Sequence, residues 1–340
     1  MHETTAAILR RLNSPLDLCK LTIPPLKHGQ VLVKIAFSGL CRSQLNEIEG
    51  FKGEDHYLPH TLGHEGSGTV MNVGPGVSKV KPGDPVILTW IKGSGCEAPS
   101  STYSCQNEIV NSGAISTFSE YAVISENRMI PIPFHMPLDE AALFGCAIPT
   151  GAGILMNDLK AEAGQSVAIL GLGGIGLSSL LAATALGLNP IIAIDIDPNK
   201  LTLAMQLGAT KCLNIKDEEV LKNYTNQLDY AIEATGIPSA MEMAFALVKP
   251  KTGIAVIAGN APKTSRIQLD PFDFILGKKL IGTWGGGIQP DRDIPKLIHA
   301  FMKKNISVKP LISHQFALQH INQAIQLLSN RQATRILISL

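Results

Sequence analysis

Cysteine is sparse: six residues in a chain of 340, at positions 19, 41, 96, 105, 146 and 212. That is too few, and too scattered, for a fold stapled by disulfides, which leaves reduced thiols or metal ligands as the expectation. Net charge is nearly absent as well. With 29 basic and 28 acidic residues the balance is +1. Such a chain sets up no broad field for phosphate backbones or anionic lipid, so nucleic acid and membrane are excluded as expected partners and a small molecule is favoured. Charged residues make up 17%, below the usual ~25%. With 45% apolar residues there is enough material for a packed core, and disorder is excluded as the main state. Repeats and low-complexity tracts are missing. The opening stretch has a four-residue apolar run, Ala6 to Leu9, before two arginines, short of the ~7–15 residues of a secretory signal. The expectation is a cytoplasmic protein.

One segment imitates a membrane span: residues 166–194 carry no charge. Five glycines and Pro190 interrupt it, however, and two β-rich runs bracket a Gly-rich turn and a helical pattern. It reads instead as strand, turn, helix and strand.

Up to about residue 145, turn signals such as Pro24-Pro25, Gly74-Pro75-Gly76 and Pro82-Gly83-Asp84 separate short β-branched runs, the pattern of an all-β unit. Beyond residue 146 the rhythm changes. SVAIL, PIIAID, LDYAIEA and GIAVIAG are short, apolar and unalternating, as buried parallel strands require, and helical patterns over 176–188, 198–207 and 238–248 lie between them. The fold class is therefore α/β, a mostly-β domain followed by a doubly wound parallel sheet. The predicted boundaries are 1–146 with 288–340 for the first domain and 147–287 for the second. The tail, with helical stretches Asp293–Lys304 and Leu318–Ser329 and a final strand, is too short to fold alone and should pack on the first domain.

Gly171, Gly173 and Gly176 form a GxGxxG pattern that follows a strand and opens a helix, with Gly174 and Ile175 inside it. The first glycine allows the tight turn, the second lets backbone approach a pyrophosphate, and the third lets helix and strand pack closely. The helix N-terminus supplies free N–H groups and partial positive charge. The next strand ends at Asp195, 24 residues after Gly171, where an adenosine ribose needs an acceptor. A carboxylate there favours NAD and repels a 2′-phosphate, and Lys200 is placed to help hold the ribose.

Potential metal ligands occur in three further stretches, around Cys41, around His64 and Glu65, and around Cys146. Two thiolates, an imidazole and an open position are the donor set of a catalytic zinc. The separations, 23 and 82 residues, carry no local metal signature, and a lone cysteine is more often a small buried hydrophobe.

In this order, from VLVKIAFSGLCRS through GHEGSG and VGPGVSKVKPGD to TRILISL, these stretches resemble the zinc-dependent alcohol dehydrogenases of the medium-chain dehydrogenase/reductase family. The resemblance spans nearly the whole chain. It implies a GroES-like catalytic domain, a Rossmann domain, and one catalytic zinc held by Cys41, His64 and Cys146 with Glu65 as a nearby or exchangeable ligand. It gives Ser43 the hydroxyl that bonds the reacting alcohol, Arg42 and Arg335 the pyrophosphate, Thr150 a place by the nicotinamide, and Trp90 the wall of the substrate pocket. It also implies a homodimer or homotetramer with a seam at the Rossmann sheet edge near VIAGNAP.

Two departures stand out. Relatives with a structural zinc carry four closely spaced cysteines, where this chain has only Cys96 and Cys105. Two thiols cannot close a four-ligand shell, so that zinc is expected to be absent, the pair being ordinary free cysteines or a redox couple. Where some relatives place a proton-relay histidine, five residues after the first cysteine ligand, stands Asn46. His56, His60 or water would have to take the proton. The competing functions are a zinc-free NAD(P)H quinone or enone reductase of the same superfamily, which would lack the ligands, and a non-catalytic nucleotide-binding protein.

Overall fold

The computed structural model describes residues 3–51, 53–217, 219 and 222–340. The chain divides into two compact units, Met1–Cys146 with Gln289–Lys296 and Ser307–Leu340, and Ala147–Ile288 with Leu297–Ile306. The predicted tail is therefore shared: its last segment belongs to the first unit, but ten residues go with the second. The helix Pro290–Lys303 accounts for this. Asp293, Ile294, Leu297, Ile298 and Phe301 are buried on one stripe, at the i, i+4 spacing of an amphipathic helix.

The first unit is built on the long strand Gln30–Leu40, which pairs with Glu65–Val73, Tyr121–Ser125 and Arg335–Ser339. Pro85–Thr89, Met129–Pro131 and Ile312–Ala317 complete this sheet. A small closed barrel holds Glu3–Leu9, Asp17–Thr22, Thr102–Cys105, Glu108–Asn111 and His60–Thr61. Val33, Ile35, Val70, Val86 and Leu88 fill one core. Leu40, Leu45, Leu62, Phe118, Ile336 and Ile338 fill another, each contributing about 1.5–3 kcal/mol through burial. Two registers converge at one end of the large sheet. Leu40 lies opposite Ile336, and Glu65 opposite Thr89. The end of the central strand and the start of two neighbours thus meet at one place.

The second unit is a six-stranded parallel sheet in the order Lys211–Asn214, Ile191–Asp195, Val167–Leu170, Tyr230–Glu233, Ile254–Ile257, Lys279–Gly282. The four central strands are those the apolar runs predict, and the helices Gly174–Leu186, Pro198–Gln206 and Pro238–Leu247 fall within two residues of expectation. Both outer strands escape a search for continuous apolar runs, because KCLN and KLIG are each partly exposed. The consequence is a correction: the VIAGNAP run begins in the penultimate strand, Ile254–Ile257, and Lys279–Gly282 is the edge. Among the described residues no single helix is long and apolar enough to cross a membrane. The charge-free stretch folds as strand, turn, helix and strand, with Ser178 and Ser179 buried and bonded to the carbonyls of Gly174 and Gly151.

Candidate metal centre and dinucleotide cradle

Cys41 follows the central strand and caps the helix Arg42–Ile48, its N–H donating to Gln44 Oε1 at 3.0 Å. His64 precedes the strand Glu65–Val73, and Cys146 follows the turn Leu143–Gly145. Folding brings these remote positions together. One ligand atom from each of Cys41, His64, Glu65 and Cys146 lies within 4.8 Å of all the others, and every one of these residues belongs to the first unit. His64 Nε2 is 3.3 Å from Cys146 Sγ. On the other side of the ring, Nδ1 faces Ser43 Oγ at 3.4 Å and touches the Gln44 amide.

The electrostatics suit a cation. A hydrogen bond from Cys146 holds the Cys41 thiol well below its ordinary 9.0, and the same bond together with burial pushes Cys146 well above it. Two sulfurs so close cannot both ionise unless positive charge lies between them. Glu65 is fully buried; its Oε2 accepts from Arg335 Nη2 at 2.5 Å, while Oε1 has no hydrogen-bond partner. A buried carboxylate oxygen without a donor is costly. Its position among two thiols and an imidazole fits a divalent ion with soft and borderline ligands, which is the chemistry of zinc.

Two glycines make the approach possible. A Cβ on Gly39 would meet Glu65 Cδ at 2.6 Å and Arg335 Nη2 at 2.8 Å, and one on Gly145 would meet Glu65 Cβ at 2.8 Å. Sequence reasoning alone misses Gln44, Gly39 and Gly145. The glycines do carry a signal, standing two residues before Cys41 and one before Cys146. Gln44 is apparent only once the helix turns it back on His64.

Arg335 is 3% exposed and its guanidinium donates to Glu65 through Nη2. Arg42 is exposed on the first turn of its helix. Trp90 is half-buried just after the strand Pro85–Thr89, and its carbonyl accepts from Arg128. Asn46 lies on the Arg42–Ile48 helix. His56 is exposed beside Glu54, whereas His60 is buried and bonded to Asp55.

The cysteines of the lobe also differ from expectation. Cys105 is bonded to Cys19, not left free or coupled to Cys96. The two come from neighbouring strands, Asp17–Thr22 and Thr102–Cys105, whose pairing across 86 residues the sequence does not announce. Cys96 donates its N–H to Glu126 Oε2 at 2.5 Å, and Ser78 and Lys79 donate theirs to Oε1, each at 2.6 Å. The buried Glu126 carboxylate thus ties three loop positions together. Burial works against its charge, but the N–H groups of Cys96, Lys79 and Ser78 outweigh burial and lower its pKa below the ordinary 4.5. A carboxylate depressed in the folded state adds stability above its unfolded pKa and loses it as pH falls through the folded value. Glu126→Gln should therefore cost about 1.5–3 kcal/mol near neutrality, the worth of a charge-assisted bond. The difference from wild type should shrink in acid, below pH 4.5. Denaturation midpoints measured at both pH values check this; an equal difference at each would exclude the charge as its source.

In the second unit the Gly-rich turn has the three demanded geometries. Gly171 has φ +90°, and a Cβ there would meet Thr235 Cγ2 at 2.5 Å. Gly173 faces open space and caps the helix Gly174–Leu186, in whose first turn Ile175 lies. Gly176 packs on the Gly171 carbonyl with no room for a side chain. Asp195 ends its strand with Oδ2 accepting from Leu172 N at 2.7 Å, and Oδ1 from Ile196 N at 2.7 Å and Asp197 N at 3.0 Å. Lys200 is half-exposed on the following helix. Thr150 is buried in the helix Ala147–Gly153, its hydroxyl without a hydrogen-bond partner. Gly285–Gly287, all at positive φ, form a turn against that helix, with the Asn157 amide donating to the carbonyls of Gly286 and Gly287.

Residues 27–134 match the model of the alcohol dehydrogenase GroES-like domain, and residues 174–304 that of zinc-binding dehydrogenases. Among solved structures, an alcohol dehydrogenase zinc-binding domain protein from Burkholderia ambifaria superposes with a TM-score of 0.91 at 28% identity, over 100% of this chain and 99% of that one. Benzyl alcohol dehydrogenase from Acinetobacter calcoaceticus gives 0.90 at 27%, over 100% of both chains. Galactitol-1-phosphate dehydrogenase from Escherichia coli gives 0.80 at 26%, over 99% of this chain and 100% of that one.

Proposed function

From the chain's membership of the medium-chain dehydrogenase/reductase family, with its GroES-like and zinc-binding dehydrogenase domains, we propose that it is a zinc-dependent alcohol dehydrogenase using NAD. The observation that carries this reading is the convergence of Cys41, His64, Glu65 and Cys146 within 4.8 Å. A zinc-free reductase needs no such donor set. Relatives named for benzyl alcohol and for galactitol 1-phosphate support alcohols as the substrate class without choosing among them.

Cys41, His64 and Cys146 would hold the ion, with Glu65 Oε1 able to approach it. A zinc ion in such a site polarises a carbonyl and acidifies a hydroxyl. Arg335 anchors the Glu65 carboxylate through Oε2. On the family resemblance, Ser43 would accept the proton of the substrate hydroxyl while giving up its own to water. Trp90 supplies an apolar wall. In the second unit, Gly171, Gly173, Gly174, Ile175 and Gly176 would receive the pyrophosphate on backbone N–H groups. Asp195 would accept from the ribose hydroxyls, helped by Lys200, and Thr150 would lie by the nicotinamide. The cofactor performs the hydride chemistry and the protein supplies orientation.

Elemental analysis together with an alcohol and aldehyde panel followed by NADH absorbance tests the reading. About one zinc per chain, as a single catalytic site requires, with oxidation of at least one alcohol, is expected. A metal-free protein reducing enones would sink it. Cofactor choice has its own test. Asp195→Ser removes a charge that would repel a 2′-phosphate, and should raise the kcat/KM ratio of NADP over NAD by tenfold or more, equivalent to about 1.4 kcal/mol. An unchanged ratio would remove Asp195 from the ribose.

A further inference from the structure

We propose that Glu47, Asp55 and His60 form a second divalent-cation site on the first unit, one made of oxygen and imidazole donors. A ligand atom of each lies within 4.8 Å of the other two. None of the three is on the open surface: His60 is 7% exposed, and Glu47 and Asp55 are half-buried.

The imidazole is the informative member. Its Nδ1 lies 3.0 Å from the Thr61 carbonyl oxygen, which has no proton to give, so Nδ1 carries the ring hydrogen. That leaves Nε2 turned towards Asp55, with Oδ2 at 2.9 Å. A ring whose N–H is tied to a backbone carbonyl while the opposite nitrogen faces carboxylates has the orientation of a metal-ligating histidine. Asp55 is oriented in the same way, because Oδ1 takes the Tyr57 N–H at 2.9 Å and Oδ2 is left facing inward.

Glu47 and Asp55 bring two carboxylates into one sphere with a single imidazole. The residues lining the adjoining cavity, about 430 Å³ in volume, include neither lysine nor arginine. Ser101 and Asn111 are among them, and the space suffices for waters to complete a coordination shell.

Two carboxylates and one imidazole make a harder donor set than Cys41, His64 and Cys146, and this difference gives the test. Mn²⁺ prefers oxygen and is a poor match for thiolates, so it should enter this site without displacing zinc from the other. Enzyme with its native metal content is titrated with Mn²⁺, free Mn²⁺ being read by electron paramagnetic resonance and zinc by elemental analysis of the same sample. The expected result is one Mn²⁺ per chain with zinc unchanged, and affinity lowered at least about tenfold in His60→Gln and in Glu47→Gln. Glu47→Gln alters a half-exposed helix position and decides the matter should His60→Gln fail to fold. No uptake by wild type at millimolar Mn²⁺, or equal uptake by Glu47→Gln, would overturn the proposal. Neither readout involves turnover, so its failure is separable from that of the dehydrogenase reading.

Discussion

Cys146→Ala protein is expected to lose its zinc and, with it, nearly all alcohol oxidation. The substitution removes one of two sulfurs, the one 3.3 Å from His64 Nε2. Two protein ligands and a buried carboxylate are a poor substitute for the three of a catalytic zinc. Since the ion supplies several kcal/mol of charge stabilisation and each 1.36 kcal/mol is tenfold in rate, kcat/KM should fall by ~10³ or more. The residues of the Gly-rich turn and Asp195 belong to the second unit, so dinucleotide binding followed by fluorescence should persist, and an unchanged circular dichroism spectrum should report that the first unit is folded. Turnover at the wild-type rate in zinc-depleted Cys146→Ala protein would defeat the assignment.

The second large effect concerns stability. Arg335→Met leaves the fully buried Glu65 carboxylate without the one charged hydrogen-bond donor it has among the described residues. Breaking a buried pair from one side costs about 3–5 kcal/mol, because the remaining charge is uncompensated, whereas removing both charges is far milder. Calorimetry should therefore show a strongly lowered transition for Arg335→Met and substantial recovery in the Glu65→Gln/Arg335→Met double variant. Chelation should enlarge the single variant's loss, because an ion beside Glu65 Oε1 supplies part of the missing positive charge. If Arg335→Met melts with wild type, the pair does not stabilise the fold.

These outcomes turn on contacts that differ in how readable they are. The parallel sheet is legible because its central strands are buried on both faces and hence uniformly apolar, while Lys211–Asn214 and Lys279–Gly282 lie at edges and carry mixed patterns. The glycine turn is legible because Gly171 and Gly176 have no alternative at those positions. The metal cluster is not legible from spacing; only the family resemblance joins Cys41 to Cys146, since strand register and not local sequence brings them together. The Glu65–Arg335 pair spans 270 residues and depends on the antiparallel register of Arg335–Ser339 with Gln30–Leu40. Cys19 and Cys105 are hidden for the same reason.

The strand that delivers Arg335 also orders events during synthesis. Cys41, His64 and Cys146 leave the ribosome early, and all of Ala147–Ile288 follows before Arg335 appears. At about 5–20 residues per second, the nascent thiols wait on the order of ten seconds or more beside a Glu65 that has no counter-charge. The pocket with Glu65 paired is therefore complete only once the strand Arg335–Ser339 has been made.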